Sequence, residues 1–282
     1  MSLVEVEKLH RVFRLGRGAD DVTAVNAVDF TIEAGEALGL VGESGSGKST
    51  IARILVGLER ADAGAVRIDG VNRLERAHGR RERLARARAV QMVFQDPNGS
   101  LDRRLTVAES LQRVLRLHGR AASRSAAHAE ALTLLDRVRL SDRHADAKPH
   151  ELSGGQRQRV AIARALAAGP KLVVLDEAVS ALDVSVQAQV LDLLREIQRD
   201  SGVGYLFVSH DLAVVQELCQ RVLVLFRGTV VERGQTQRVL DAPEHPYTRL
   251  LMASMPGPGW DPERVVQARL TFTQRMSVVA DG

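Results

Sequence analysis

The first feature that could do chemistry is a glycine-rich loop at residues 42–50, which reads GESGSGKST. It satisfies the pattern GxxxxGK[ST], in which glycines let the backbone curl so that consecutive N–H groups point at phosphate oxygens. The apolar run at 36–41 predicts a short buried strand before the loop, and residues 50–58 predict a helix after it. Because a helix N-terminus also favours anions, this order predicts a nucleotide phosphate site rather than a chance glycine turn.

The polar side chains of the loop supply more of a nucleotide site. Lys48 is expected to reach the β- and γ-phosphates as a point charge. The Ser49 hydroxyl is expected to bind Mg²⁺, which prefers octahedral oxygen ligands, and Thr50 to support the α-phosphate. ATP and Mg²⁺ are therefore the expected cofactors. The loop residues assigned to ATP are Gly42, Glu43, Ser44, Gly45, Ser46, Gly47, Lys48, Ser49 and Thr50.

Two adjacent acids follow an apolar run in KLVVLDE, residues 171–177. Asp176, at the end of a predicted strand, could orient Mg²⁺ directly or through water. Glu177 beside it could accept a proton from an attacking water. Such a pair could instead cap a helix, but its distance along the chain from Lys48 fits a nucleotide-binding core. We therefore expect Asp176 to be a metal ligand and Glu177 the catalytic base.

A second phosphate cradle is predicted in ELSGGQRQR, residues 151–159, where a serine and two glycines stand at the start of a helical pattern. Such a start is an anion-binding end. A single compact site needs only one cradle, so a second one suggests a γ-phosphate bound from another subunit. The residues expected to make this contact in trans are Ser153, Gly154, Gly155 and Gln156.

These residues must be positioned by alternating strands and helices. Strands are predicted at 3–9, 24–32 (as a pair), 36–41, 89–94, 172–175 and 205–209, with a hairpin at 222–226 and 229–232. Helices are predicted at 50–58, 73–89, 106–118, 124–138, 156–167, 184–199 and 212–219. The alternation predicts a mostly parallel α/β sheet, interrupted by a helix-rich subdomain at about 97–167.

Composition narrows the function classes. Aromatic residues are only 3% of the 282, so the core must consist mainly of aliphatic side chains. The formal net charge of +4 could indicate nucleic acid or an anionic membrane, but acids are interspersed with the arginines, so we expect a solvated surface and no nucleic acid partner. No stretch approaches the roughly 18 apolar residues that span a bilayer. If the protein works at a membrane, another chain must hold it there.

Taken together, the motifs resemble those of the ATP-binding cassette ATPases, whose signature motif is LSGGQ. The resemblance covers nearly the whole chain and implies a P-loop NTPase fold of the ABC type, with a RecA-like parallel sheet, an antiparallel β subdomain and an inserted helical subdomain. It also implies three roles. Gln95, in VFQDP, would sense Mg²⁺ as a ligand and contact the membrane part of the transporter. Asp183, in SALD, would lie at the dimer seam, and His210, in VSHDL, would contact the γ-phosphate.

Within that family the chain most resembles the oligopeptide, dipeptide and nickel importer ATPases. The stretches LGLVGESGSGKST, MVFQDP, LDEAVSALDVSVQAQVLDLL and APEHPYTRLLMASMP carry the resemblance. The last of these, at 242–256, resembles the C-terminal extension of the subfamily, although it could be an ordinary terminal helix after a proline turn. We therefore expect an ATPase domain at 1–240 and an extension at 241–282.

The resemblance implies an ATP-hydrolysing subunit of a bacterial importer for peptides or a related solute such as nickel. Its expected partners are a second cassette, either a paralogue or a second copy, two transmembrane permease subunits and, indirectly, an extracytoplasmic solute-binding protein. The chain would be peripheral, on the cytoplasmic face of the cell membrane. In trans pairing, Glu177 would polarise water while Lys48 and His210 stabilise charge on the transferred phosphoryl group.

Two departures and two alternatives stay open. The family often places an aromatic residue under adenine, and here Val12 stands at that position, with Phe13 beside it as either the stacking ring or a core residue. The segment after Gln95 reads DPNGSLDRRLTV, where the relatives that it most resembles carry an aromatic residue and prolines. A carbon–phosphorus lyase accessory subunit is one alternative. A nucleotide-gated scaffold without turnover is the other, which Glu177 and His210 disfavour.

Overall fold

The computed structural model describes residues 2–14 and 21–254 and, beyond them, residues 266, 268 and 272. The strands of the described residues form two sheets. They are β1 (Ser2–Phe13), β2 (Val22–Glu33), β3 (Ala37–Val41), β4 (Ala63–Ile68), β5 (Val71–Asn72), β6 (Val90–Val93), β7 (Leu172–Asp176), β8 (Gly204–Ser209), β9 (Arg221–Phe226) and β10 (Thr229–Gln235).

The helices lie between and after these strands. They are α1 (Lys48–Leu55), α2 (Gly79–Ala89), α3 (Pro97–Ser100), α4 (Val107–Leu117), α5 (Arg124–Arg137), α6 (Gly154–Ala167), α7 (Val184–Ser201), α8 (Leu212–Leu218), α9 (Thr236–Asp241) and α10 (Pro246–Ala253). Short 3₁₀ turns at Asp142–His144 and Pro149–Glu151 join α5 to α6.

The larger sheet has the order β10-β9-β3-β8-β7-β6. Its strands β9, β3, β8, β7 and β6 run parallel, and only the edge strand β10 is antiparallel to its neighbour. In a parallel sheet the carboxyl ends of all strands lie at one edge, where ligands bind. The predicted α/β fold is therefore present, and the residues that follow β3, β8, β7 and β6 meet at that edge.

The smaller sheet is antiparallel, with the order β2-β1-β4-β5. Its apolar side chains share a core with α1 and with one face of the parallel sheet. Strand β3 shows how both faces of that sheet are covered, because Leu38 and Leu40 belong to this core while Ala37 and Val41 belong to a second core. Burial on both faces explains why the strand reads as a continuous apolar run.

The second core lies on the other face of the parallel sheet, where the helices from α4 to α8 pack. Helix α4 begins with a capping box, in which the Thr106 hydroxyl accepts a hydrogen bond from the backbone of Glu109 and the Glu109 carboxylate accepts one from the backbone of Thr106. Helices α4, α5 and α6 pack on one another. Residues 97–167 thus carry the helices that the sequence predicts there, and the domain boundaries given above stay predictions.

Some sequence predictions were wrong in detail. The helix predicted at 73–89 begins only at Gly79, because residues 73–78 form a bend and irregular backbone after the short strand β5, and Gly79 itself has a left-handed φ of 81°. The predicted strand pair at 24–32 is the single long strand β2. Strand β4 was missed, since its sequence AGAVRI holds only two bulky apolar residues, Val66 and Ile68, to signal it. Within residues 2–14 and 21–254, no helix is both long and apolar enough to cross a membrane.

Candidate nucleotide site

The glycine-rich loop leaves the end of β3 and enters α1, as the sequence predicts. Gly47 caps α1 with a φ of 106°, and a Cβ atom there would lie 2.1 Å from the carbonyl oxygen of Ala24 in β2. A Cβ atom on Gly42, whose φ is 151°, would lie 2.2 Å from the carbonyl oxygen of Leu225 in β9. Both glycines are therefore fixed by close approach of neighbouring strands, which shape the loop from outside.

Lys48 is held inside the loop that it belongs to. Its Nζ donates hydrogen bonds to the carbonyl oxygens of Gly42 at 2.7 Å and Glu43 at 2.8 Å. The side chain is buried, and burial lowers the pKa of Lys48, while the nearby carboxylates of Glu177 and Asp176 oppose that effect. An ammonium ion ringed by carbonyl oxygens is poised to meet phosphate oxygens at the centre of the loop.

Ser49 and Asp176 are brought together across 127 positions of sequence. The Ser49 hydroxyl donates a hydrogen bond of 3.1 Å to Oδ1 of Asp176, the last residue of β7. Burial raises the pKa of the Asp176 carboxyl, and the Ser49 hydrogen bond partly offsets this. Two adjacent oxygen donors, one a buried carboxylate, match the ligand preference of Mg²⁺, which keeps its other positions for phosphate and water. The donor set therefore fits the predicted metal.

Glu177 stands where three strands of the sheet end. Gln95, after β6, donates a hydrogen bond of 3.0 Å from Nε2 to Oε2 of Glu177, and Nδ1 of His210, after β8, lies 3.5 Å from Oε1. The Glu177 backbone has a φ of 48° and donates its N–H to the carbonyl oxygen of Val208. A left-handed glutamate costs of order 1 kcal/mol and is typical of a functional constraint. The carboxylate is thus oriented from two sides, as a general base requires.

A cavity of about 730 Å³ opens above these groups. It is lined by Gly42, Glu43 and Ser44 of the loop, and by Glu177 and His210. Its remaining wall includes Leu251 and Ser254 at the end of α10. The phosphate loop, Glu177 and the end of α10 therefore face one space.

The predicted second cradle forms the start of α6. Ser153 is its N-cap, and Ser153 and Gln156 satisfy each other's backbone N–H groups in a capping box. A Cβ atom on Gly155 would lie 2.5 Å from Cγ1 of Val186 in α7, whereas Gly154 has no neighbour closer than 4.0 Å. Gly155 is thus required for helix packing, and Gly154 leaves its helix start open.

The second cradle lines a different cavity, of about 380 Å³, in which Gly154 faces Gln95 rather than the phosphate loop. Asp183 is exposed at the N-cap of α7, with no side-chain cap hydrogen bond. Phe13 is partly buried, and the guanidinium of Arg11 lies 4.6 Å from the centre of its ring. It stays a prediction that the second cradle binds nucleotide in trans, that Asp183 lies at the dimer seam and that Phe13 stacks on adenine.

One contact to the loop was missed by sequence reasoning. The hydroxyl of Tyr247, in α10, accepts a hydrogen bond of 2.9 Å from the backbone N–H of Glu43. The two residues are 204 positions apart, so no local periodicity could link them. The available signal was His245-Pro246-Tyr247, in which proline marks the first turn of a helix.

Comparisons with known proteins agree with this geometry. The family model described as ABC transporter matches residues 25–180, and the model described as oligopeptide/dipeptide transporter, C-terminal region, matches residues 231–271. The chain is also similar to two solved ATP-binding cassettes. The match to the dimeric post-hydrolysis structure of MJ0796 bound to ADP and Pi has a TM-score of 0.71 at 30% identity. It covers 83% of this chain and 98% of the MJ0796 chain. The structure of cbiO1 from Clostridium perfringens has a TM-score of 0.74 at 25% identity and covers 86% and 92%.

The fold and the site thus define a nucleotide-binding domain of the P-loop type. With more than half of its residues inside the family model, the chain belongs to the ABC transporter family. Its C-terminal segment at 231–271 is similar to the C-terminal region of oligopeptide/dipeptide transporters.

Curated relatives include the glutathione import ATP-binding protein GsiA of Escherichia coli strain K12, at 48% identity over 242 residues. The GsiA protein of Pectobacterium atrosepticum is 49% identical over the same length. Each alignment covers 86% of this chain but only 38% of the relative, so the chain spans less than two-fifths of the relatives it matches.

Proposed function

We propose that this chain is the ATP-hydrolysing subunit of an importer for peptides or a related small solute. The observation that carries the proposal is the C-terminal helix α10, which lies in the segment matched by the oligopeptide/dipeptide transporter model and forms a wall of the nucleotide cavity. The relatives named for glutathione import favour a short peptide over nickel as the solute. No comparable observation favours a carbon–phosphorus lyase accessory subunit.

In this proposal the residues of one chain divide the work of ATP hydrolysis. The loop N–H groups and Lys48 bind the phosphates, and Ser49 and Asp176 are the residues that would hold magnesium. When bound, magnesium would neutralise developing charge on the phosphate oxygens. Glu177 orients the attacking water and takes its proton, while Gln95 and His210 hold the Glu177 carboxylate in place.

A second cassette would complete the site. Gly154 lines a cavity separate from that of the phosphate loop, and we expect the helix start formed by Ser153, Gly154, Gly155 and Gln156 to receive the γ-phosphate bound by another chain. The exposed Asp183 begins the next helix, α7, beside them. The partner is either a paralogue or a second copy of this chain, and pairing places each phosphate between two helix starts.

Gln95 offers a route from the site to the membrane partners. Its amide contacts Glu177, and the chain continues directly from it into residues 96–106, where Arg103 and Arg104 are exposed. If a permease subunit contacts this segment and moves it, Gln95 would move as well and change the orientation of Glu177. The chain would act as a peripheral subunit on the cytoplasmic face of the membrane, with two permeases and, indirectly, an extracytoplasmic binding protein.

Affinity purification of the tagged chain from detergent-extracted membranes of its native host tests this proposal. We expect two polytopic membrane proteins to co-purify. Arg103→Glu together with Arg104→Glu should reduce their recovery severalfold, whereas Arg199→Glu, at an exposed position on α7, should not. Recovery of soluble enzyme subunits in place of membrane proteins would refute import and favour the lyase alternative.

A further inference from the structure

We infer that Tyr247 is a positioning residue that fixes the phosphate loop, and through it Lys48, from the C-terminal helix. The hydroxyl accepts the Glu43 N–H at 2.9 Å, and the side chain is only 1% exposed. The inference rests on the loop being the ATP phosphate site, and it adds a role for the C-terminal segment in nucleotide binding itself.

A single peptide unit contacts both Tyr247 and Lys48. The amide that joins Gly42 to Glu43 presents its N–H to Tyr247 and its carbonyl oxygen to Nζ of Lys48, at 2.7 Å. The two groups of a planar trans amide point in opposite directions, so holding the N–H sets the direction of the carbonyl. Tyr247 therefore determines where the ammonium of Lys48 is held, although it does not touch Lys48.

The tyrosine is itself rigidly held. Its ring packs against Phe226 of β9, with ring centroids 4.4 Å apart, and its backbone N–H donates to the His245 side chain that caps α10. The carboxylate of Glu232, in β10, accepts hydrogen bonds from the backbone N–H groups of Glu244 and His245. Burial raises the pKa of the Tyr247 hydroxyl to about 12, so it stays neutral throughout the physiological range. The helix start is thus fastened to the sheet that carries the loop.

The change Tyr247→Phe removes one oxygen atom and keeps the ring. The Glu43 N–H then loses its partner at a partly buried site, and the peptide unit is free to rotate or shift. Because a hydrogen bond of this kind changes an equilibrium by about fivefold, we expect the Kd for Mg–ATP to rise about five- to tenfold. AMP has no β- or γ-phosphate for Lys48 to contact, so its Kd should change less than about twofold.

Tyr205→Phe is a matched control, because Tyr205 is equally buried and its hydroxyl donates one hydrogen bond to a main-chain carbonyl, that of Leu194. The full-length chain, Tyr247→Phe and Tyr205→Phe should be titrated with Mg–ATP and with AMP by competition against a fluorescent ATP analogue. The melting temperature of each nucleotide-free variant should be measured alongside.

Weaker ATP binding by Tyr247→Phe alone, with AMP binding retained, would support the inference. It is overturned if Tyr247→Phe binds ATP as the wild type does, or if both nucleotides weaken equally in both variants. Should Tyr247→Phe fail to fold, Tyr247→Leu offers a second test, since it lacks the hydroxyl without exceeding the volume of the tyrosine and should show the same selective loss. Failure of import leaves this result intact, because wild-type ATP binding is measured in the same experiment.

Discussion

Asp176 and Lys48 are charged groups that the fold buries at a cost. Burial raises the pKa of Asp176 and lowers the pKa of Lys48, so in each case the charged form is less favourable in the folded chain than in water. Because folding raises the pKa of Asp176, the protonated carboxyl contributes its full stabilisation of the fold below the unfolded pKa. This contribution is lost as pH rises through the folded pKa. A bound cation beside Asp176 and bound phosphate beside Lys48 would each favour the charged form that burial disfavours.

Neutralising Asp176 should stabilise the nucleotide-free protein and weaken its function. The carboxamide of Asp176→Asn can still accept the Ser49 hydroxyl, but it carries no charge to desolvate. If the gain is about 1 kcal/mol, the melting temperature should rise by about 2–4 °C at pH 7. The gain should shrink as pH falls below the folded pKa of Asp176, because the wild-type carboxyl then also becomes neutral.

Asp69→Asn is the control for this experiment, since Asp69 is half-exposed in a surface ion pair with Lys171 and should show no such gain. Thermal unfolding should be recorded with and without Mg–ATP. We expect Asp176→Asn to lose most of the stabilisation that Mg–ATP gives the wild type. A lower melting temperature with an unchanged response to Mg–ATP would contradict the assignment of Asp176.

At the scale of elements, the start of α6 has two adjacent glycines, and each position favours glycine for a different physical reason. Gly155 packs against Val186 of α7, where a Cβ atom would lie 2.5 Å away, and the branched Val186 side chain has few alternative rotamers. Gly154 has free space around it. The sequence predicts one shared role for both glycines, as part of an anion-binding helix start. In the structure, Gly155 allows α6 to pack on α7, whereas Gly154 leaves the helix start open to a ligand.

Alanine substitutions should separate these two roles. Gly155→Ala should lower the free energy of unfolding by about 1–3 kcal/mol, as overpacking does, and Val186→Ala in the same chain should restore most of it. Gly154→Ala should leave stability unchanged or slightly higher, because alanine favours helix over glycine. It should nevertheless reduce ATP turnover by obstructing the helix start. Equal destabilisation by both single variants, measured by urea unfolding, would contradict this division.

For the whole molecule, the alternation of elements and the loop pattern were enough to predict an α/β fold and a phosphate site. The order of strands was not readable, because β8 lies between β3 and β7 although it comes last of the three along the chain. That order is why His210 reaches Glu177, and it depends on how helices pack over the sheet rather than on any local pattern.

The contact between Tyr247 and Glu43 could not be predicted from the sequence either. It joins residues 204 positions apart and depends on α10 folding back over the carboxyl edge of the sheet. The same limit applies to the second cradle, whose nucleotide belongs to a different chain in our proposal. Chemistry carried by consecutive residues could be predicted, whereas chemistry assembled by tertiary packing needed the structure.

The central claim is that one chain holds half of a hydrolytic site. Its most direct test is ATP turnover by the chain at a concentration where light scattering detects only the monomer, with ATP binding measured in the same sample. We predict that the monomer binds Mg–ATP but hydrolyses it no faster than Glu177→Gln, which supplies the background. Turnover by the wild-type monomer that is about 100-fold or more above that of Glu177→Gln would contradict the claim, because a base of this kind contributes about that factor in a complete site.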